Sequence, residues 1–191
     1  MRVVSPTRRS SRGFTLVEVM MVVVIMSLVA GFMLISTQSL SSQILEETSS
    51  VMAADLMLAR DTAFTYGTEF TVSFDLSANT YTVSHTGSGQ TPPFERPLGN
   101  GTMGNFTISV DGIHPGGNSL ARVTIYRVRT ASTNQDVTNV VFNSLGNTGP
   151  ARTEDTCIWL SQGTGAETRY QKITINWMTG QIWTSQISST L

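Results

Sequence analysis

The most informative stretch of this 191-residue sequence is FTLVEVMMVVVIMSLVAGFMLI, which runs from Phe14 to Ile35. Its 22 residues carry a single charge, that of Glu18. A helix of this length rises roughly 33 Å at about 1.5 Å per residue, which matches the hydrocarbon core of a bilayer. A soluble helix is rarely apolar on every face over such a distance. We therefore predict a transmembrane helix over residues 14–35.

Basic residues lie on only one side of this predicted span. Arg2, Arg8, Arg9 and Arg12 precede it, and the next Lys or Arg in the chain is Arg60. Positively charged flanks stay on the cytoplasmic side of a membrane. We therefore expect the N-terminus in the cytoplasm and the rest of the chain across the membrane.

A secretory signal peptide and a plain signal anchor compete with a more specialised interpretation of this segment. A cleavable signal has a shorter apolar core followed by a small-x-small site, and residues 36–40 offer no such site. A plain anchor explains the length and the orientation of the span. It gives no role to Glu18, although a carboxylate inside a span costs up to about 3 kcal/mol on insertion scales.

The sequence Gly13-Phe14-Thr15-Leu16-Val17-Glu18 resembles the type IV prepilin signature. The resemblance implies that residues 1–13 are a leader, which prepilin peptidase removes by cutting between Gly13 and Phe14. It also implies N-methylation of the new amine of Phe14. In this family the glutamate equivalent to Glu18 is thought to pair with the terminal amine of an adjacent subunit during assembly, which neutralises both charges in apolar surroundings.

The same resemblance implies a location and a set of partners. The expected location is the bacterial inner membrane, with a single span, a cytoplasmic N-terminus and a periplasmic C-terminal domain. The expected partners are prepilin peptidase, other pilin or pseudopilin subunits, and inner-membrane lipid before assembly. One departure from the family is the lack of the proline that many pilins carry in this helix, where the chain has Gly31 and Ile35.

Residues 36–66 predict an amphipathic helix that continues from the span. An apolar stripe recurs at intervals of four and seven, formed by Leu40, Ile44, Val51 and Leu58. Acidic residues occupy polar positions between them, namely Glu46, Glu47 and Asp55. Gly67 follows Tyr66 and is expected to cap the end of this helix.

Residues 67–191 predict a periplasmic β-rich globular domain. Alternating apolar and polar residues at 70–74 and 81–84, with Asn79 between them, indicate a hairpin. Six further strands are predicted at Phe106–Val110, Arg122–Thr130, Val137–Asn143, Thr156–Ser161, Arg169–Asn176 and Gln181–Ser185. The predicted fold class is therefore α+β, in which a long membrane-spanning and then amphipathic helix packs on a C-terminal two-sheet, β-sandwich-like domain.

Three later stretches resemble the H-type minor pseudopilin and FimT-like family. They are LMLARDTA at residues 56–63, VVFNSLG at residues 140–146, and the predicted closing hairpin at residues 169–182. The resemblance implies a structural minor subunit, at the tip or at the start of a type II secretion pseudopilus or a type IV pilus. Within the first stretch, Arg60 is either part of a salt bridge, with another subunit or with Asp55 or Asp61, or a solvated charge near the helix end. We favour the solvated charge.

A DNA-binding subunit for DNA uptake is the alternative function, because FimT-like relatives include proteins that bind DNA through a basic C-terminal segment. The chain after Gly180 has no Lys or Arg, so the charge that neutralises phosphates is missing there. Arg122, Arg127 and Arg129 form a small basic cluster, and the last two share a face of their strand. We interpret this cluster as a solvated strand face. Since the net charge is also −1, nucleic acid is a disfavoured partner.

The sequence offers no arrangement of residues typical of an enzyme, a cofactor site or a metal site. It has no Gly-x-Ser-x-Gly elbow and no phosphate-binding loop. His85 and His114 lie far apart in sequence, and we interpret both as surface histidines. Cys157 is the one cysteine, which we expect to be buried in a strand. Asp75 and Asp111 are interpreted as turn residues rather than calcium ligands.

Tryptophan is the remaining residue type that could form a binding site. A carbohydrate platform is one interpretation of Trp159, Trp177 and Trp183, since all three are placed on or beside predicted strands. Tryptophans on strands are more often found in a core or in contacts between subunits. We favour that second interpretation.

Overall fold

A computed structural model describes residues 14–92, 105–113 and 122–190, with the backbone alone at residues 31–41, 112 and 166. The predicted leader, residues 1–13, and His114 lie outside the described residues. The chain divides into two compact units, Met1–Ser39 and Leu40–Leu191. In the part of the chain that the structure describes, no helix combines the length and the hydropathy that crossing a membrane requires.

The first element is the 51-residue helix α1, Leu16–Tyr66. It ends as predicted at Gly67, whose φ of 61° lies in the left-handed region that favours glycine. The amide of Gly67 donates to the carbonyl of Phe64 at 3.4 Å, and the amide of Thr68 donates to the carbonyl of Ala63 at 3.0 Å. These two bonds form a Schellman motif, which satisfies two carbonyls that the helix end would otherwise leave unpaired.

The buried face of α1 differs from the predicted apolar stripe. Its centre is formed by Leu45, Met52, Leu56, Ala59 and Ala63, all of which are fully buried. The predicted positions Ile44, Val51 and Leu58 are only partly buried and lie at the edge of this face. Ile44 and Leu58 nevertheless pack against the core, and the side chain of Leu40 lies outside the described residues. The predicted stripe is therefore only part of the contact, because it followed the large branched side chains and left out alanine and methionine. Small side chains allow a sheet to approach a helix closely.

Polar residues also lie on this buried face. Thr48 and Thr62 are buried, and their hydroxyls donate to the helix carbonyls of Ile44 and Leu58 at 2.7 and 2.6 Å. A hydroxyl that bonds back to the preceding turn needs no partner elsewhere in the core. The helix therefore buries threonine without leaving a polar group unsatisfied.

Eight strands follow the helix and form two antiparallel sheets. Their bounds are β1 Phe70–Asp75, β2 Thr80–His85, β3 Asn105–Ser109, β4 Val123–Thr130, β5 Asn139–Phe142, β6 Thr156–Gln162, β7 Arg169–Ile175 and β8 Ile182–Thr184. The first sheet has the order β3-β2-β1-β5 and the second has the order β4-β6-β7-β8. All eight predicted strands are confirmed within about two residues at each end, a usual uncertainty for element boundaries.

The helix and both sheets contribute to one hydrophobic core. Members of this core include Leu56 from α1, Phe70 and Val83 from the first sheet, and Ile158 and Ile173 from the second. Each of these side chains is fully buried. The predicted α+β class, with a helix packed on antiparallel sheets, is therefore confirmed for the unit Leu40–Leu191.

Asn79 ties the first hairpin to the second sheet. It has a φ of 52°, which lets the tight turn between β1 and β2 close. Its side-chain amide donates to the carbonyl of Val123 at 2.9 Å, and its side-chain oxygen accepts from the amide of Ile125 at 2.8 Å. The predicted turn residue therefore also bonds to strand β4, a contact that its sequence position did not indicate.

Candidate functional site

The N-terminal segment holds the residues that the sequence nominates for processing and assembly. Gly13 lies outside the described residues. Phe14 and Thr15 precede the helix, and the amide of Glu18 donates to the Thr15 hydroxyl at 3.3 Å. Thr15 is thus the N-cap and Glu18 the third helical residue, the spacing of a capping box. The helix begins within two residues of the predicted cleavage point, so the mature N-terminus would lie at a helix start.

The apolar side chains that follow are exposed along the entire first segment of α1. From Leu16 to Val29 the large hydrophobic residues are between 49% and 76% exposed, and Phe14 is 81% exposed. Such a continuous apolar surface on every face of a helix marks a segment that meets lipid or another protein. Glu18, also exposed, is the only ionisable side chain within this surface.

Arg60 is not the solvated charge that the sequence analysis expected. Its Nε donates to the carbonyl of Gly146 at 3.1 Å, and its Nη2 donates to the carbonyl of Thr179 at 3.2 Å. Its contact with the exposed Asp61 is longer, at 3.5 Å. The arginine therefore joins the end of α1 to two turns of the β-domain that are far away in sequence.

One of these turns requires a glycine, Gly180, because its backbone lies very close to the backbone of Gly146. A Cβ on Gly180 would lie 1.8 Å from the carbonyl oxygen of Gly146 and 2.9 Å from Arg60 Nε. Gly180 also has a φ of 66°, which disfavours other residues. The three stretches that resemble the H-type and FimT-like family meet at this point, since each contributes one of these three residues.

Asp55 is the buried acidic residue that sequence reasoning missed. It is 5% exposed, and the hydroxyl of the fully buried Tyr81 donates to its Oδ2 at 2.5 Å. The helical pattern placed it among the polar positions. The sequence spacing could have predicted its burial. Asp55 lies three residues after Met52 and four before Ala59, so all three share one face of the helix.

The three arginines of the β4 region differ in their surroundings. Arg122 Nη2 lies 2.5 Å from Asp111 Oδ2, and Arg129 Nε lies 2.6 Å from Asp136 Oδ1. Arg127 instead lies over the ring of Trp159, with its Cζ 4.5 Å from the ring centroid. The predicted shared face of Arg127 and Arg129 is confirmed by their pairing with Trp159 and Cys157 on β6. The interpretation as a freely solvated strand face was wrong, because both side chains are partly buried and engaged.

Of the two aspartates considered as calcium ligands, Asp75 bonds to a turn, whereas Asp111 pairs with Arg122 and accepts from the side-chain amide of Asn79. Asp75 accepts from the hydroxyl and amide of Ser77 and from the amide of Ala78, and these bonds lower the pKa of its carboxyl. The hydrogen bond from Arg122 lowers the pKa of Asp111. Among residues 14–92, 105–113 and 122–190, no group of three or more His, Cys, Asp or Glu could hold a metal ion.

The other two residues with potentially reactive side chains, His85 and Cys157, are both at least partly buried in the β-domain. His85 is half-buried, with Nε2 2.7 Å from the Thr68 hydroxyl and its ring 5.4 Å from that of Phe70, so it is not the free surface histidine that was expected. Cys157 is buried as predicted, and its burial raises the pKa of the thiol. Reactivity requires the thiolate, so this sulfur is protected.

Two of the three tryptophans considered for a binding platform are partly covered. Trp159 and Trp177 are half-buried, while Trp183 is 42% exposed. Arg127 covers the ring of Trp159. A sugar-binding platform needs an open aromatic face, which Trp159 does not offer on that side.

Comparison with known proteins gives one match at the N-terminus and a weaker likeness in the fold. Residues 8–34 match the prokaryotic N-terminal methylation motif. No protein with a curated description matches the sequence. Two crystal structures of the type IV minor pilin FimU from Pseudomonas aeruginosa, strain PAO1, are similar at 15% identity, with TM-scores of 0.46 and 0.44.

The likeness to FimU covers 76% of this chain and 89% or 94% of the FimU chains. The methylation motif includes Gly13, Phe14 and Glu18, the residues on which the prepilin resemblance was based. The N-terminal segment of this chain therefore carries the prokaryotic N-terminal methylation motif.

Proposed function

We propose that this chain is a minor subunit of a type II secretion pseudopilus or a type IV pilus, matured by prepilin peptidase and assembled through its N-terminal helix. The single observation that carries the proposal is the methylation motif at residues 8–34. Cleavage between Gly13 and Phe14 would remove the basic leader of residues 1–13. N-methylation would then modify the amine of Phe14.

The local structure around Phe14 supports this order of events. Thr15 caps the helix, so removal of the leader takes away no residue that the helix needs in order to start. The new amine would lie within one turn of Glu18. A carboxylate near a helix N-terminus is also favoured by the helix dipole, by about 0.3–1 kcal/mol.

The exposed apolar surface of Leu16–Val29 supports a change of surroundings during assembly. We propose that residues 14–35 span the inner membrane before assembly, with the N-terminus cytoplasmic and the β-domain periplasmic. In the filament, helices of neighbouring subunits would replace lipid around the same side chains. Since both surroundings are apolar, this exchange changes little hydrophobic free energy. Pairing of Glu18 with a neighbour's terminal amine would then set the register.

Two substitutions test the two steps separately. Gly13→Ala is expected to leave an unprocessed precursor that stays out of filaments, because the peptidase cuts after glycine in this motif. Glu18→Ala is expected to be cleaved normally and to enter filaments poorly, because the terminal amine loses its partner. The measurement is the mass of the N-terminal peptide together with the amount of subunit in sheared filaments.

Matched controls make these outcomes decisive. Glu46→Ala removes an exposed carboxylate from the same helix outside the motif, and we expect normal cleavage and incorporation. Assembled subunits that keep residues 1–13 would overturn the proposal. Normal incorporation of Glu18→Ala would remove the pairing step while leaving the processing step intact.

The DNA-binding alternative gains no support from the described residues. Two of the three arginines in the β4 region are neutralised by Asp111 and Asp136. The chain from Gln181 to Thr190 has no basic side chain. Affinity for nucleic acid depends on several cations that contact phosphates along a track. The low preference for nucleic acid stays a prediction, which a gel-shift experiment at low salt would test.

A further inference from the structure

A groove lies on the outer face of the second sheet, between strands β6 and β7 and the C-terminal residues. Its volume is about 380 Å³, and its lining includes Trp159, Tyr170, Lys172 and Ser188. That volume falls within the range of pockets that hold small ligands or a few side chains. We call it the Lys172 groove, and neither the motif nor the proposed function assigns it a role.

Lys172 is the cation that lines the groove, and Arg127 lies beside the groove, over the ring of Trp159. Arg127, Trp159 and Lys172 lie directly opposite one another on β4, β6 and β7, so their side chains share one face of the sheet. Of the residues that the structure describes, none places a carboxylate within salt-bridge distance of Arg127 or Lys172. Arg127 Nε is, moreover, buried without a hydrogen-bond partner among the same residues. This contrasts with Arg122 and Arg129, which are both paired.

The C-terminal wall of the groove is held in place by backbone bonds. Tyr170 and Ser188 exchange two of them, at 2.7 and 2.9 Å, and the amide of Ser185 donates to the carbonyl of Lys172 at 2.8 Å. Tyr126, the extra residue of a bulge in β4, contacts Tyr170 with ring centroids 5.3 Å apart. A binding surface fixed in this way loses little freedom when a partner binds.

We propose that the Lys172 groove binds a short acidic segment of a partner protein, with one carboxylate at Lys172 and a second beside the groove on the side of Arg127. Charge complementarity carries the proposal, because two unpaired cations on one row match a pair of carboxylates. The aromatic rings supply apolar contact area beside these charges. A nucleic acid would need a longer basic track, and the whole chain has a net charge of −1.

The test uses the fact that Lys172 is the only lysine in the sequence. The probe is a labelled five-residue peptide with two glutamates around a central phenylalanine, and its matched control carries two glutamines instead. Full-length protein in detergent is titrated with each peptide and with a single-stranded oligothymidine. Carbodiimide coupling of the acidic peptide, followed by mass spectrometry, then reports whether the amine of Lys172 is the one that reacts.

We expect the acidic peptide to bind and to couple to Lys172, with the glutamine peptide at least about tenfold weaker, a factor equivalent to about 1.4 kcal/mol. Lys172→Gln should weaken binding to a similar extent, and Arg127→Gln, which acts from beside the groove, should weaken it by a smaller factor. Arg122→Gln removes an arginine charge that is already paired with Asp111, and it should leave binding unchanged.

Several results would overturn the proposal. They are equal binding of both peptides, equal loss in all three variants, no binding of the acidic peptide, or binding of the oligothymidine instead. Arg127 is partly buried, and Arg127→Gln could fail to fold. In that case the proposal is tested by the loss of peptide binding in Lys172→Gln alone. The groove lies outside the N-terminal segment, so a negative result leaves the processing and assembly proposal untouched.

Discussion

The two ends of helix α1 have the same secondary structure and opposite surroundings. From Leu16 to Val29 every large apolar side chain is about half exposed or more. From Leu45 to Ala63 one face of the helix is fully buried in the core of the β-domain. The first segment is apolar all round, whereas the second alternates buried and exposed positions.

This difference shows that the distribution of apolar residues around a helix indicates where its partner lies, within the same chain or outside it. A one-sided stripe indicates a partner within the same chain, because the opposite face must stay in water. An all-round apolar surface indicates that the partner is outside the chain, whether lipid or another subunit. One continuous helix can therefore belong to a folded domain at one end and to a larger assembly at the other.

We expect the largest difference in stability between the two ends of the helix when one leucine at each end is changed to alanine. Leu56→Ala should lower the free energy of unfolding of the domain by about 2–5 kcal/mol, because it leaves a cavity in the core. Leu16→Ala removes the same atoms from the exposed segment and should change it by less than about 0.5 kcal/mol. Urea unfolding of the full chain in detergent, followed by tryptophan fluorescence, measures both. Equal effects of the two changes would contradict the division of the helix.

A pair of glycines tests the junction that anchors the end of the helix. Gly180→Ala combines a left-handed backbone with a Cβ that would lie 1.8 Å from the Gly146 carbonyl oxygen. Gly67→Ala has a similar φ of 61° but no atom within 4 Å of the new Cβ. We expect about 1 kcal/mol of destabilisation for Gly67→Ala. Gly180→Ala should lose about 2 kcal/mol more, because two backbones must separate.

Thermal unfolding of both variants, read by circular dichroism, gives this difference directly. Arg60→Gln serves as the control for the junction, because it removes the bonds to the Gly146 and Thr179 carbonyls without adding a clash. Gly180→Ala and Gly67→Ala with the same midpoint would show that the close approach of Gly146 and Gly180 does not hold the helix end.

The smallest expected effect is on the stability of the β-domain at low pH. Glu154 accepts hydrogen bonds from the hydroxyl and amide of Thr133 and from the amide of Ser132, which lower its pKa from 4.5 to about 2. A lowered pKa in the folded state stabilises the fold above pH 4.5, and this contribution is lost as the pH falls towards about 2. Glu154→Gln should therefore flatten the decline of the unfolding midpoint across that range.

The measurement is the thermal midpoint at several pH values between about 2 and about 6, around the carboxylate range. The effect is small because the carboxylate is exposed and screened by solvent. Asp136→Asn removes another exposed carboxylate and provides a comparison. An unchanged pH profile in Glu154→Gln would show that this turn does not contribute to acid sensitivity.

Local pattern was sufficient to predict much of the domain. The hairpin of β1 and β2 follows from alternation and from Asn79, and the helix end follows from Gly67. The exposed segment before residue 30 follows from composition. Each of these features depends on residues close together in the chain.

Long-range contacts account for what the sequence did not show. Asp55 was placed among the polar positions of the helix because its hydrogen-bond partner, Tyr81, lies 26 residues away in the sequence. Arg60 was expected in solvent because its acceptors, at Gly146 and Thr179, are 86 and 119 residues away. The pairing of β1 with β5, which joins Phe70 to Phe142, is also long-range, and only the folded chain reveals it.

The single cysteine has a practical consequence for following this protein during assembly. Cys157 is 4% exposed, and the pKa of its thiol is raised by burial. Thiol reagents attack the thiolate, so they should modify this position slowly while the domain is folded. A cysteine introduced on an exposed surface could then carry a fluorophore or a spin label with the native residue left in place.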